Sequence, residues 1–168
     1  RNDLSEEIVK HAKMYYQLFN LNKYDTDRLV VDPLSIVVYF IIKTETLTVI
    51  PYIMYILDSV DDKDEQSKIF LYLEKYLIRR SICKCISKSY SDLFSENLIG
   101  AGVNTASKLF QYINQRTGDL KMPDDDQVKE AIHNLDQTKI AQVVLYLLEA
   151  RINNQFKEFD EFDKLITE

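Results

Sequence analysis

Glycine and proline are scarce in this chain, three of each among 168 residues, where average usage of the pair is about 12%. Turn-rich β-sandwiches, dinucleotide folds opened by a glycine fingerprint and glycine loops that cradle phosphate all need more such residues than this. They are excluded at the outset. Cysteine is as thin: two residues cannot build a disulfide framework. Cys83 and Cys85 stand two apart, so on a helix their side chains point about 200° from each other and neither pair nor share an ion. Two histidines leave almost no material for a metal site.

Positive charge is also short. The chain has 21 Lys+Arg against 27 Asp+Glu, a net charge of −6, which argues against a surface that tracks a phosphate backbone while allowing a local basic patch. Long apolar runs are missing. Residues 33–42 and 46–57 are the most apolar stretches, both short of the roughly 18 to 20 residues of a membrane span. Lys43 and Glu45 separate them. The first turn is charged and no cleavage pattern follows an apolar run, so no signal peptide is expected. Reduced thiols and no span suggest a cytoplasmic protein without membrane contact. The chain opens on Arg1 and reads as a segment of something longer.

What is present is helical periodicity. Asp3 and Glu6 form a capping-box pattern ahead of a face of Leu4, Ile8, Ala12, Tyr15, Leu18 and Phe19. Residues 20–28 are polar and read as a loop. Asp32-Pro33 marks a second start, followed by a run from Leu34 to Ile42 that is apolar on nearly every side and therefore buried. Another helix starts near Thr48, with Pro51 in its first turn and Ile53, Ile56 and Leu57 facing inward. The acids Asp61, Asp62, Asp64 and Glu65 open the longest helix, expected over about 62–86, with Arg79, Arg80, Lys84 and Lys88 near its end, as the helix dipole favours. A short helix over 92–98 stops at Gly100-Ala101-Gly102. Asn104 caps a further helix closed by Gly118. Pro123 and Asp124 to Asp126 start one through Val128, Ala131, Ile132 and Leu135, and the last carries Ile140, Val143, Val144, Leu147, Leu148 and Ile152. The expectation is an all-α bundle of seven to eight helices around one long central helix, with a helical domain over 1–155 and a linker over 156–168. In that linker Phe156, Phe159 and Phe162 alternate with acids, either as an amphipathic turn docking on a neighbour or as an unstructured tail.

Candidate chemistry is sparse. His11 and His133 lack a sequence-adjacent Ser or Cys and read as helix-filling residues. Asp124, Asp125 and Asp126 have the chemistry to hold Mg²⁺, but acids in a first turn after proline are what a helix N-terminus attracts. The 11 Tyr and 8 Phe have faces on which bases stack, yet at helical spacing inside apolar runs they read as core. The exception is Arg79-Arg80, set between Ile78 and Ile82 in a helix apolar over most of its girth. Adjacent residues differ by 100°, so at least one guanidinium is expected to be partly buried. An unpaired buried charge costs several kcal/mol, so a carboxylate partner is expected: Glu74, Asp126 or Glu149, in an ion-pair network tying helices together. The alternative is a nucleic-acid contact face of Arg79, Arg80, Lys84, Lys88 and Lys108.

The segment Leu73-Glu74-Lys75-Tyr76-Leu77-Ile78-Arg79-Arg80-Ser81-Ile82-Cys83 resembles the "LExYLxRRxIC" signature in the helical part of Gmr-type modification-dependent (type IV) restriction proteins. Pro123-Asp124-Asp125-Asp126-Gln127-Val128 resembles the "PxDxEF" helix start that follows it there, with Gln-Val in place of Glu-Phe. Leu145-Tyr146-Leu147-Leu148-Glu149 resembles the later "YxLxxLE" helix. Three motifs in order cover about 80 residues, and residues 1–70 match only loosely. The resemblance implies a helical region between an N-terminal ParB-like nucleotide-hydrolysing domain and a C-terminal HNH nuclease, in a nucleotide-dependent DNA endonuclease of antiphage defence. The "DGQQR"-like loop of the first domain is absent from this chain, as is the "TIEHIxPQ"-like start of the second. On this reading the chain itself holds no active site and no cofactor. Its partners are the flanking domains, and DNA only through the parent protein; oligomeric state is left open. A helical protein-interaction adaptor with a partner-binding groove is the remaining reading.

Overall fold

In the computed structural model, residues 2–20, 32–135 and 139–153 are described. Eight α-helices form there, and no strand among the described residues. They are α1 (Asn2–Asn20), α2 (Pro33–Lys43), α3 (Ile50–Ser59), α4 (Lys63–Ile82), α5 (Leu98–Gly100), α6 (Ala106–Asn114), α7 (Asp125–His133) and α8 (Lys139–Asn153). A π-helical turn, Asp92–Asn97, runs directly into α5, and single 3₁₀ turns cover Leu47–Val49 and Gly118–Leu120. The expected linker, with its three phenylalanines, lies outside the described residues. No helix among the described residues is long and apolar enough to cross a membrane.

The bundle is built around α4, which packs against α2, α6, α7 and α8. Its N-cap is Asp62, whose carboxylate accepts from the Asp64 N–H at 2.9 Å. Ile69, Phe70, Leu73, Tyr76 and Leu77 are buried along it. The equally apolar α2 buries every residue from Ser35 to Ile41, and its start is as the sequence indicates: Asp32 accepts from the Leu34 N–H at 3.2 Å and the Ser35 hydroxyl at 2.9 Å. Burying a side chain of Leu, Ile or Phe size stabilises the fold by about 1.5–3 kcal/mol, so these two helices supply much of the core.

Several expected boundaries move. The long helix stops at Ile82 rather than near residue 86. The Cys83 N–H bonds the Arg79 carbonyl at 3.0 Å and the Cys85 N–H reaches back to Arg80 at 2.8 Å, while Lys84 takes φ 52°. That is a Schellman closure with lysine in the left-handed position normally held by glycine. The same device ends α2, where Glu45 has φ 58° and the Thr46 N–H bonds the Ile41 carbonyl at 2.8 Å. A chain this poor in glycine ends two helices on residues that give no stop signal. Thr105, not Asn104, caps α6, its hydroxyl accepting from the Lys108 N–H at 3.2 Å. Gly118 opens a 3₁₀ turn instead of closing α6. The start of α1 falls at Asn2, ahead of Asp3.

Two expected apolar faces are not buried. Of the α1 set only Leu18 is buried; Leu4, Ile8 and Tyr15 are exposed. In α7 no residue is buried. Amphipathic spacing says that a face exists, but a neighbour must be present to cover it.

From Val103 to Pro123 the chain runs alongside α4 in the same direction, tied to it by polar side chains. Glu65 accepts from the Ala106 N–H at 2.7 Å. Further along, the Tyr72 hydroxyl donates to Asn114 at 3.3 Å and the Tyr76 hydroxyl to the Leu120 carbonyl at 3.0 Å. The spacing from Glu65 through Tyr72, Tyr76 and Arg79 keeps these side chains on one side of the helix.

Candidate functional site

At the end of this track stands the arginine pair. Arg80 is 1% exposed, the largest side chain among those fully buried. Its Nε donates to the Tyr90 hydroxyl at 2.8 Å, Nη1 to the Lys121 carbonyl at 3.0 Å and Nη2 to the Ile86 carbonyl at 2.8 Å. The guanidinium also lies over the rings of Tyr76 and Tyr90, 5.4 and 5.3 Å from their centroids. Arg80 thus joins three pieces of chain: the last turn of α4, the 83–90 loop and the 118–123 segment.

Among the described residues every hydrogen bond of Arg80 goes to a neutral oxygen. The carboxylate expected beside it is not among these partners. The oriented carbonyl and hydroxyl dipoles take its place, at roughly 1.5–3 kcal/mol for each bond to a charged group. Two aromatic faces add about 0.5–2 kcal/mol each, and the carbonyl end of α4 contributes partial negative charge.

Arg79 faces the other way. It is 19% exposed, donates through Nη1 to the Pro123 carbonyl at 2.8 Å and pairs through Nη2 with Asp125. Of the three candidate acids, Glu74, Asp126 and Glu149, Asp126 lies next to this partner but sits 3.5 Å from Lys129 on its own helix and is almost wholly exposed. Asp124 is the N-cap of α7 and forms a reciprocal capping box with Gln127, both bonds within 2.9–3.0 Å. Each of the three consecutive aspartates therefore has a structural task. Glu74 is buried in the middle of α4, and Glu149 is exposed on α8.

The tyrosines near Arg80 are interior. Tyr76, Tyr90 and Phe94 form mutual ring contacts with centroids 5.3–6.4 Å apart, and Tyr52 joins Phe94 at 6.1 Å. Burial drives the Tyr52, Tyr76 and Tyr90 hydroxyls above the usual phenol range, so they remain neutral. Tyr52 and Tyr76 donate to the Val103 and Leu120 carbonyls, and Tyr90 accepts from Arg80. The Cys83 thiol is also pushed up, chiefly by burial. The Arg79 hydrogen bond and its charge hold Asp125 below the ordinary carboxylate range.

The expected nucleic-acid face does not assemble. Arg80 is interior and out of reach of a phosphate backbone. Lys84 and Lys88 are exposed past the end of α4. Lys108 sits at the start of α6, beside Glu65 at the opposite end of α4, roughly 25 Å away at 1.5 Å per residue. Its ammonium is held by Asn104 and the Gly102 carbonyl. His11 and His133 do not converge: His11 lies 3.8 Å from Asp58, while His133 is exposed in the last turn of α7. Among the described residues no group of three or more His, Cys, Asp or Glu is placed to hold a metal ion.

Tyr90 and the carbonyls of Ile86 and Lys121 are the site groups that sequence reasoning missed, while Asp125, read there as a first-turn acid, is the one that pairs with Arg79. The Asp124–Gln127 capping box did have a signal, the Asp-x-x-Gln spacing. In comparisons with protein-family models, curated proteins and solved structures, the chain matches none.

Proposed function

We propose that the chain is a non-catalytic helical module of a modification-dependent restriction protein. It stands between a nucleotide-hydrolysing domain and an HNH nuclease domain and holds them in register. The observation that carries this reading is how the most telling motif is used. Both arginines of segment 73–83 point into the chain itself. Arg80 braces the end of the 20-residue α4 against two loops, and Arg79 ties the same end to the start of α7. A braced rod of about 30 Å transmits a displacement from one end to the other instead of absorbing it, as a module linking two working domains requires. A nucleic-acid contact through the same arginines fits less well, because the better buried of the two has no surface to offer.

The test is a protein in which this chain stands between those two domains. Arg79→Ala removes the tie to α7 at a partly exposed position and leaves Arg80 in place. Nucleotide-dependent cleavage of modified DNA is expected to fall severalfold while nucleotide hydrolysis persists. Unchanged cleavage by Arg79→Ala and by Arg80→Lys, with the fold retained, would overturn the reading.

A further inference from the structure

Among the described residues, an apolar surface of helix α1 stays uncovered. Leu4, Ile8, Val9, Tyr15 and Tyr16 are between 46% and 71% exposed. At about 100° per residue they lie with Ala12 in an arc of about 140°, in which Ser5 is the one polar residue. Outside the arc, Leu18 is buried, and Lys10 and His11 both reach Asp58 at the end of α3.

The charges on α1 are divided along its length. Glu6 and Glu7 precede Lys10 and Lys13. Glu6 and Lys10 have the spacing of a helical ion pair, but Lys10 turns to Asp58. Among the described residues neither Glu6 nor Lys13 has an ion-pair partner within its own chain. Both flank the Val9 edge of the apolar arc.

We propose that α1 pairs antiparallel with α1 of a second copy, through this arc. Two independent features select the same register. With the twofold axis near Val9 and Lys10, Glu6 of each copy meets Lys13 of the other. The same placement sets Leu4 against Tyr15 and Tyr16, and Ile8 against Ala12. Charge and apolar pattern therefore agree without adjustment, in an isologous contact. At 19 residues, about 28 Å, the seam sits near the lower limit of about 1,000 Å² for a specific interface. Dissociation in the range of tens of micromolar is the expected consequence.

Sedimentation velocity over about 5–500 µM brackets that affinity and is expected to show reversible monomer and dimer. Glu6→Lys and Lys13→Glu are exposed substitutions that each bring like charges together in the homodimer, and each is expected to weaken it at least about fivefold. An equimolar mixture of the two places opposite charges at both contacts and is expected to restore dimer to the unmodified level. Ile8→Ser is expected to abolish dimer in all mixtures, with circular dichroism confirming the fold. A chain that stays monomeric across this range overturns the proposal. So does a dimer indifferent to both charge changes, or a mixture that fails to restore it.

Discussion

Arg80 donates its Nε hydrogen to the Tyr90 hydroxyl at 2.8 Å, while the same Tyr90 ring lies 5.3 Å from the guanidinium carbon. One tyrosine so serves one arginine twice, across a helix end and the loop that follows it. A double-mutant cycle on Arg80→Met and Tyr90→Phe is expected to give a coupling above about 1 kcal/mol in chemical denaturation. Strictly additive losses would remove the pair from the account of stability. Arg80→Met alone should cost about 2–4 kcal/mol, because it strands the Ile86 and Lys121 carbonyls together with the tyrosine hydroxyl.

Acid should loosen the connections between helices in a defined window. Asp125 is held low by Arg79, Asp58 by Lys10 and Glu45 by Lys139. These link α7 to α4, α3 to α1, and the end of α2 to α8. A carboxyl whose folded pKa is depressed contributes stability that is complete above its unfolded value, near 4, and is lost as pH falls through the lower folded value. The urea midpoint of the chain should decline across that interval, and Asp125→Asn should flatten part of the decline. Because the three pairs are exposed, about 1 M salt should flatten it as well.

The left-handed residue at the end of α2 makes a second stability test. Glu45 combines φ 58° with a 2.9 Å ion pair to Lys139, so the strain must be isolated from the charge. In a Lys139→Ala background, Glu45→Gly is expected to stabilise by about 0.5–1 kcal/mol, a rise of roughly 1–4 °C in Tm. A fall in Tm in that background would mean that the left-handed conformation is not what limits this turn.

Nucleic acid should not be retained by the chain on its own. With Arg80 interior and Lys108 roughly 25 Å from Lys84, the cations are too dispersed to neutralise neighbouring phosphates on a chain of net charge −6. A gel shift in about 20 mM salt, with tens of micromolar protein, is expected to show no complex. A shifted band with a steep salt dependence would restore the nucleic-acid reading.

Most of the architecture was legible because it depends on local pattern. The period of apolar residues, the Asp32-Pro33 start and the acids ahead of Lys63 placed α2, α3 and α4 closely. The ends were less legible, since Lys84 and Glu45 adopt a conformation for which neither is the usual residue. Arginine burial could also be read, because two adjacent positions on an apolar rod cannot both face water.

The neutraliser of Arg80 was beyond that reasoning. A requirement for compensating polarity follows from sequence, but whether a carboxylate or a set of carbonyls supplies it depends on which loops close over the helix end. Helix type, helix order and the presence of buried charge are properties of near neighbours in the chain, so the amino-acid sequence by itself determined them. That Tyr90, Ile86 and Lys121 converge on Arg80, that Asp125 and not Asp126 meets Arg79, and that α1 keeps an open apolar side were decided only by tertiary structure. Each depends on the position of segments separated along the chain, and that position is set by how the whole core packs.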